Sequence, residues 1–353
     1  MPSSLLSLPL LFLLLTTTIA AAAGFTCTTS SNCTALIQYI SVNDTTLSSI
    51  QSLFSLPHLR SLLSANSLPL STPKSYHVAA SIPINVPFPC LCGNGSGFSD
   101  HRPVYVVQPG NFLYEIASVV FASLTTVADI VQVNGIQNAS SIGIGQKLWI
   151  PLPCSCDDVS GEKVVHYGYV VPTGASLAGI AAEYGTTETV LEGLNGNIAP
   201  AKLQAGQLLD VPLKACSSSV NSTSLDANLL VANGTYVLTA NGCVKCTCSP
   251  ANNYTLQCES SQLKPVSNWS TCPSTLCGGL NLGNTTTSGC NISTCSYAGY
   301  TSSTILTTTV ITTSSSCTTS KSHASRLNLG GWSSTAVLCI VHLPMLLYSL
   351  QFW

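Results

Sequence analysis

Val104 to Cys156 reads VYVVQPGNFLYEIASVVFASLTTVADIVQVNGIQNASSIGIGQKLWIPLPCSC, and the fold is decided there. A β-branched run, Val104 to Val107, ends at Gln108-Pro109-Gly110-Asn111, where proline presets φ and glycine tolerates a positive one, so a strand followed by a turn is expected. Leu113, Ile116, Ala117 and Val120 recur at helical spacing, and Val127, Ile130, Val131 and Asn134 do so again. Gly135 stops the second helix, a polar loop runs to Gly145, and Lys147 to Ile150 reads as a second strand stopped by Pro151. The predicted unit is strand, helix, helix, strand.

Much of this unit recurs. Tyr105-Val106-Val107-Gln108-Pro109-Gly110 matches Tyr169-Val170-Val171-Pro172-Thr173-Gly174, Leu113/Ile116/Ala117 match Leu177/Ile180/Ala181, and Asn134-Gly135 matches Asn195-Gly196. Gly145-Gln146-Lys147-Leu148-Trp149-Ile150-Pro151 likewise matches Gly206-Gln207-Leu208-Leu209-Asp210-Val211-Pro212. A degenerate third copy precedes both: Tyr39 to Val42, then Leu47/Ile50/Leu53, Leu59/Leu62/Leu63, Asn66, and Ile84 to Cys92. Its first turn is Asn43-Asp44-Thr45-Thr46 and it lacks the Gly-Gln element, so fold is expected of it more than binding.

The two ends speak to compartment. Residues 1–23 have an apolar core, Leu5 to Leu15, and a small-residue end at Ala20 to Gly24, which reads as a signal peptide without the usual basic front; a membrane anchor is the alternative. Ala336 to Trp353 is an apolar tail free of acid, Lys and Arg, preceded by a polar spacer and by small residues at Ser322, Ala324 and Ser325. Residues 326–353 thus read as a removed glycosylphosphatidylinositol (GPI) attachment signal, with a single-pass helix as the alternative. Ten Asn-x-Ser/Thr sequons fit export: Asn32, Asn43, Asn94, Asn138, Asn221, Asn233, Asn253, Asn268, Asn284 and Asn291. Charged residues are 7% of the chain and net charge is −2, which disfavours nucleic acid and anionic lipid surfaces as partners and favours a neutral polar ligand.

Of seventeen cysteines, Cys339 lies in the tail, leaving an even number for pairing in an oxidising compartment. Cys90/Cys92 and Cys154/Cys156 form Cys-x-Cys pairs; without neighbouring His ligands, disulfides are the expectation and metal is not. From Cys216 onward ten cysteines sit among Ser, Thr, Asn and Gly, a small disulfide-framed domain over 217–300 with open connectivity. A Ser/Thr-rich stalk is expected over 301–325. Catalysis is not expected. The adjacent acids Asp157-Asp158 sit in a linker rather than flanking a groove, Glu183, Glu188 and Glu192 read as a solvated helix face, and no Ser-His-Asp or Cys/His nucleophile set can be assembled. No cofactor is implied.

The repeated turn, helix face, Asn-Gly and Gly-Gln-x-Leu-x-(Ile/Val)-Pro ending resemble the LysM carbohydrate-binding module, a βααβ fold that holds N-acetylglucosamine polymers. Three copies over 27–92, 104–156 and 167–216 with intervening Cys-x-Cys, the Cys-rich segment containing Asn268-Trp269-Ser270-Thr271-Cys272-Pro273, and the tail together resemble plant LysM domain-containing GPI-anchored proteins of the chitin elicitor-binding class. The resemblance implies an α+β fold of three tandem βααβ modules joined by disulfides Cys27–Cys92, Cys33–Cys156 and Cys90–Cys154, followed by a Cys-rich domain. It also implies a GPI-anchored receptor on the outer face of the cell membrane that binds chitin oligosaccharides in plant innate immunity and acts with a LysM receptor-like kinase; whether a bridging oligomer also makes a homodimer is left open by the sequence. Peptidoglycan binding and wall adhesion remain open. The implied site is the pair of loops in the central copy, Gln108, Pro109, Gly110, Asn111, Phe112 and Leu113 with Gln137, Asn138, Ala139, Ser140 and Ile142. Ile142 is the acetyl-methyl contact or, alternatively, ordinary loop packing. Pro172 to Leu177 with Ile198 to Leu203 form a secondary candidate, and a glycan on Asn138 would crowd the groove.

Overall fold

The computed structural model describes residues 24–313, apart from 218, 219, 221, 228, 267 and 268. The expected signal peptide, the sequons Asn221 and Asn268, Ser322, Ala324, Ser325 and the apolar tail lie outside the described residues.

The sequence unit is present three times. Strand Asn32–Ile40, helices Leu47–Leu53 and Leu59–Ala65 and strand Pro83–Gly93 make the first. Val104–Val106, a helical segment from Leu113 to Val120, Val127–Val133 and Lys147–Trp149 make the second. Val164–Val170, Leu177–Tyr184, Glu188–Leu194 and Leu208–Ser217 make the third. One asparagine explains why Asn closes the second helix each time. Asn134 Nδ2 donates to Ile130 O and Trp149 O while its Oδ1 accepts from Trp149 N. Asn195 does the same with Leu191 and Asp210, and Asn66 with Leu62 and Asn85. The side chain saturates the helix end and ties it to the second strand, each bond worth about 0.5–1.5 kcal/mol.

The degenerate first copy is the hub. Its strand Asn32–Ile40 pairs antiparallel with Pro83–Gly93 and parallel with Val164–Val170, in a seven-stranded sheet that continues through Leu208–Ser217 to Leu230–Ala232 and, at the other end, through Ser96–Ser99 to Phe25–Thr26. Successive side chains on a strand face opposite ways. Ala35, Ile37 and Tyr39 accordingly join a core shared with the central module, while Leu36 joins the core of the third. Gly168 lies opposite Ile37, and a Cβ there would sit 2.9 Å from Ile37 Cγ1, so glycine permits the close strand approach.

The central module is attached differently. Its two strands form a sheet of their own, and it meets the first module through its helical segment. Phe121, fully buried, packs edge-on to Phe54 at 5.8 Å, and Phe54 to Tyr39 at 5.0 Å; the Tyr39 hydroxyl donates to Val120 O. Disulfides Cys33–Cys156 and Cys90–Cys154 fasten the same junction, and Cys27–Cys92 closes the first module on itself. Cys33, Cys90 and Cys156 also bring their sulfurs close enough to suggest a metal site, but all three are disulfide-bonded.

Beyond Cys216 lie short antiparallel sheets stapled by Cys216–Cys248, Cys243–Cys272, Cys246–Cys258 and Cys277–Cys295. The region docks on the first module through the Tyr236 hydroxyl, which donates to Leu68 O at 2.6 Å, and the Ser67 hydroxyl, which donates to Gly234 O. One expectation is corrected here. The stalk does not begin at 301, because Ile305–Thr313 is a strand paired along Asn291–Tyr300. Its Ile, Leu, Val and Thr residues are strand formers, and a low-complexity composition concealed this.

Candidate functional site

The two implied loops meet. Val107 N donates to Gln146 O and Gly145 N donates to Val107 O, so the turn after the first strand and the loop before the second share one end of the module. Val171 with Gln207 and Gly206 repeats the pattern. Gly145 and Gly206 both have φ near +81°, a left-handed turn that explains the repeated Gly-Gln. The glutamine caps its own loop: Gln146 Oε1 accepts from Gly143 N, as Gln207 Oε1 does from Gln204 N. Much of the repeated motif is therefore structural.

The same test sorts the implied contact residues. Asn111 is consumed inside the turn: its Oδ1 accepts from the Tyr105 hydroxyl and from Gln108 N, both at 2.8 Å, and its Nδ2 donates to Glu115. Burial and the Glu115 charge push the Tyr105 phenol up, keeping it a donor. Gln108 turns its amide back to Val106 O. Leu113 is in the core, so its side chain does not line the loop; Ile142 is half-buried and packs on the same core. Pro109, Gly110, Phe112, Gln137, Asn138, Ala139 and Ser140 are exposed. Asn138 Oδ1 accepts from Ser140 N, an Asx turn that shapes the loop.

Three exposed apolar side chains stand out, Phe112 at 56%, Tyr114 at 67% and Ile144 at 72%. Aligned on Gly110/Gly174 and Gly145/Gly206, the third module has Ser176, Ala178 and Ala205 in their places. Phe112 is the most telling, because it occupies the N-cap of its helix and gives no side-chain hydrogen bond. Thr46 and Ser176 occupy that position in the other modules and do cap, accepting from Ser49 N and Gly179 N. An apolar N-cap costs about 0.5–2 kcal/mol relative to Ser or Thr. Local rules broken without a packing gain mark functional positions. Sequence reasoning named Phe112 but missed Tyr114 and Ile144; the signal available was their mismatch between copies that otherwise agree.

The Asp157 carboxylate accepts from Thr28 N at 2.6 Å and from Thr29, and although partial burial opposes them, these bonds hold its pKa below the usual carboxylate value. It fastens the N-terminal segment to the linker. His166 and Asp210 form a buried pair at 2.8 Å inside the third module, with His166 Nε2 on Asp157 O. Burial alone would lower the His166 pKa, but the Asp210 hydrogen bond and charge outweigh it, and it lies above the ordinary value. Burial pushes Asp210 up as well, with His166 pulling it back; acceptors on both ring nitrogens put the proton on His166.

The model of the LysM domain matches residues 105–151 and 169–212. The chain is 48% identical over 287 residues to LysM domain-containing GPI-anchored protein 2 of Arabidopsis thaliana, covering 80% of this chain and 81% of that one. It is 44% identical over 289 residues to the chitin elicitor-binding protein of Oryza sativa subsp. japonica, covering 80% and 79%. It is also 29% identical over 146 residues to chitin elicitor receptor kinase 1 of Physcomitrium patens, covering 40% of this chain and 22% of the kinase. With two matched LysM domains and relatives aligned over four-fifths of its length, this chain belongs to the plant family of LysM domain-containing GPI-anchored proteins.

Proposed function

We propose that the chain is a cell-surface receptor for chitin oligosaccharides, β-1,4-linked N-acetylglucosamine oligomers, which acts in plant innate immunity. Its site is the paired loops of the central module. The observation that carries this reading is the set of exposed apolar side chains at those loops. A sugar polymer with no net charge needs apolar surface for its ring faces and acetyl methyls and backbone amides for its acetamides. Phe112, Tyr114 and Ile144 supply the former, and Pro109 to Gly110 with Gln137 to Ser140 the latter. The first module, reduced in its loops, serves as a LysM-derived scaffold, and the Cys-rich domain as a spacer.

A lipid anchor at Ser322, Ala324 or Ser325 would hold the receptor on the outer face of the membrane; among the described residues no helix is long and apolar enough to cross it. The names of the rice and moss relatives support chitin as ligand and a LysM receptor kinase as partner in signalling. An oligomer long enough to engage two copies would draw them into a homodimer, so affinity rises with oligomer length. Calorimetric titration of the released ectodomain with N-acetylglucosamine oligomers tests the reading. Heat that grows with chain length is expected. Heat with muropeptides alone would move the ligand to peptidoglycan, and association with insoluble wall material without oligomer binding would leave an adhesion protein.

A further inference from the structure

A second cleft, of about 420 Å³, lies away from these loops, where the first and third modules meet the Cys-rich domain. Its walls include Tyr167, Tyr184 and Tyr254, with Asn85, Glu183 and Lys214 among its polar groups. The Tyr167 and Tyr184 ring centroids are 6.0 Å apart, Lys214 Nζ lies 5.5 Å from the Tyr254 centroid, and the Tyr167 hydroxyl donates to Asn85 Oδ1 at 2.7 Å. Aromatic faces beside amide, carboxylate and ammonium groups suit a pyranose, which has an apolar C–H face and a polar rim.

Asn233 lines the same cleft and belongs to the sequon Asn233-Gly234-Thr235. Its backbone N–H donates to Lys214 O at 2.8 Å, Thr235 Oγ1 donates to Ala232 O, and its side chain is exposed. All eight sequon asparagines among the described residues are exposed, but this one opens onto an aromatic-walled cleft that spans two domains.

We infer that the cleft is the seat of the chain's own N-linked glycan: the first sugars attached to Asn233 lie against Tyr254 and Tyr184 and bridge the Cys-rich domain to the third module. Attachment transfers the oligosaccharide from a lipid diphosphate donor; the anomeric carbon exchanges its phosphate oxygen for the Asn233 amide nitrogen, and the amide proton leaves with the lipid diphosphate. Because the sugar is tethered beside its seat, its effective concentration there is in the millimolar range or above, and weak stacking suffices to hold it. The cleft is thereby closed to free saccharide, which leaves the central loops as the recognition surface.

The inference rests on export of the chain, and the test separates the two. The full chain is produced in a plant host that retains high-mannose glycans, and occupancy is mapped by peptide mass spectrometry. Bare asparagines at all ten sequons would overturn export itself; glycans elsewhere with a bare Asn233 would overturn the seat alone. With Asn233 occupied, endoglycosidase H on the native protein should release its glycan about tenfold more slowly than that of an exposed site such as Asn43, as for a seated state favoured about ten to one, and at equal rates after denaturation. Tyr254→Ala should remove the protection and Tyr254→Phe keep it. Equal native release at the two sites in the wild-type protein, or protection indifferent to Tyr254→Ala, would overturn the proposal.

Discussion

In the third module the strands Val164–Val170 and Leu208–Ser217 lie inside a seven-stranded sheet, and Tyr167, Tyr169 and Leu209 are buried there. In the central module the corresponding strands Val104–Val106 and Lys147–Trp149 pair with each other, and Val104 and Val106 remain exposed. The difference traces to the first helix. From Leu177 to the next N-cap, Thr187, the third module runs an α-helix ended by Gly185 at φ +67°. The central module needs three more residues to get from Leu113 to Thr126. It accommodates them with a widened π turn over Ile116–Val120 and two left-handed residues, Ala122 and Ser123. Such turns are frequent at functional positions. Here the widened segment drives Phe121 into the first module, so the central module docks by its helices and disulfides and its loops face outward. The third module is fixed by a continuous strand ladder, the central one by side chains, disulfides and two backbone bonds, Ser99 N to Leu152 O and Cys154 N to Gly97 O.

The largest effect should come from Phe121→Ala. Truncating a buried phenylalanine costs about 3–5 kcal/mol, and since Phe121 bridges two modules, chemical denaturation should show the first and central modules weakened together while the third keeps its protection in hydrogen exchange. A uniform loss across all three would mean that the modules unfold as one unit. Removing the staple with Cys90→Ala and Cys154→Ala should cost about 2–4 kcal/mol and raise protease sensitivity in the 100–103 and 151–163 linkers before any within the seven-stranded sheet.

Phe112→Ser makes the central module resemble the third. Restoring a capping hydroxyl should stabilise the module by about 0.5–2 kcal/mol, read as a higher unfolding midpoint, while calorimetry shows weaker binding of N-acetylglucosamine oligomers. Unchanged affinity would move the site off Phe112. The smallest effect is confined to the third module. The raised His166 pKa means that its pair with Asp210 contributes fully below the unfolded histidine value of about 6.5 and that this contribution is lost as pH rises through the folded value. Thermal unfolding followed from acid to alkaline pH should therefore show the third module weakening, with the Phe121 junction indifferent. A first module that responds equally, through its parallel pairing with Val164–Val170, would show that the pair acts across the whole sheet.

The strand, helix, helix, strand order was legible because periodicity, Gly-rich turns and the Asn-Gly repeat are local signals, and Asn134 and Asn195 turned out to be clips rather than decoration. Residues repeated in register, Gly145/Gly206 and Gln146/Gln207 among them, proved to maintain the fold. Residues that differ between the copies, Phe112, Tyr114 and Ile144, carry the candidate site, so a reading guided by agreement between copies passed over two of them. Leu113 and Asn111 were placed in the site by position in the loop; burial and local hydrogen bonds, invisible in one dimension, assign them to the core and the turn. The strand Ile305–Thr313 was hidden by a composition that suits a stalk equally well.

By itself, then, the sequence determined the three units of the Val104 to Cys156 kind, because periodicity and turn residues mark each element locally and the two strands of each unit pair within the unit's own span. Which copy became the hub was settled by tertiary structure. Residues 35–39 of the strand Asn32–Ile40 in the degenerate copy are buried on both faces, and that burial is complete only when two other modules arrive from distant parts of the chain. The outward pose of the central loops follows from the same packing: three extra residues, a π turn and Phe121 decide which side of the module meets its neighbour and which side is left for a ligand.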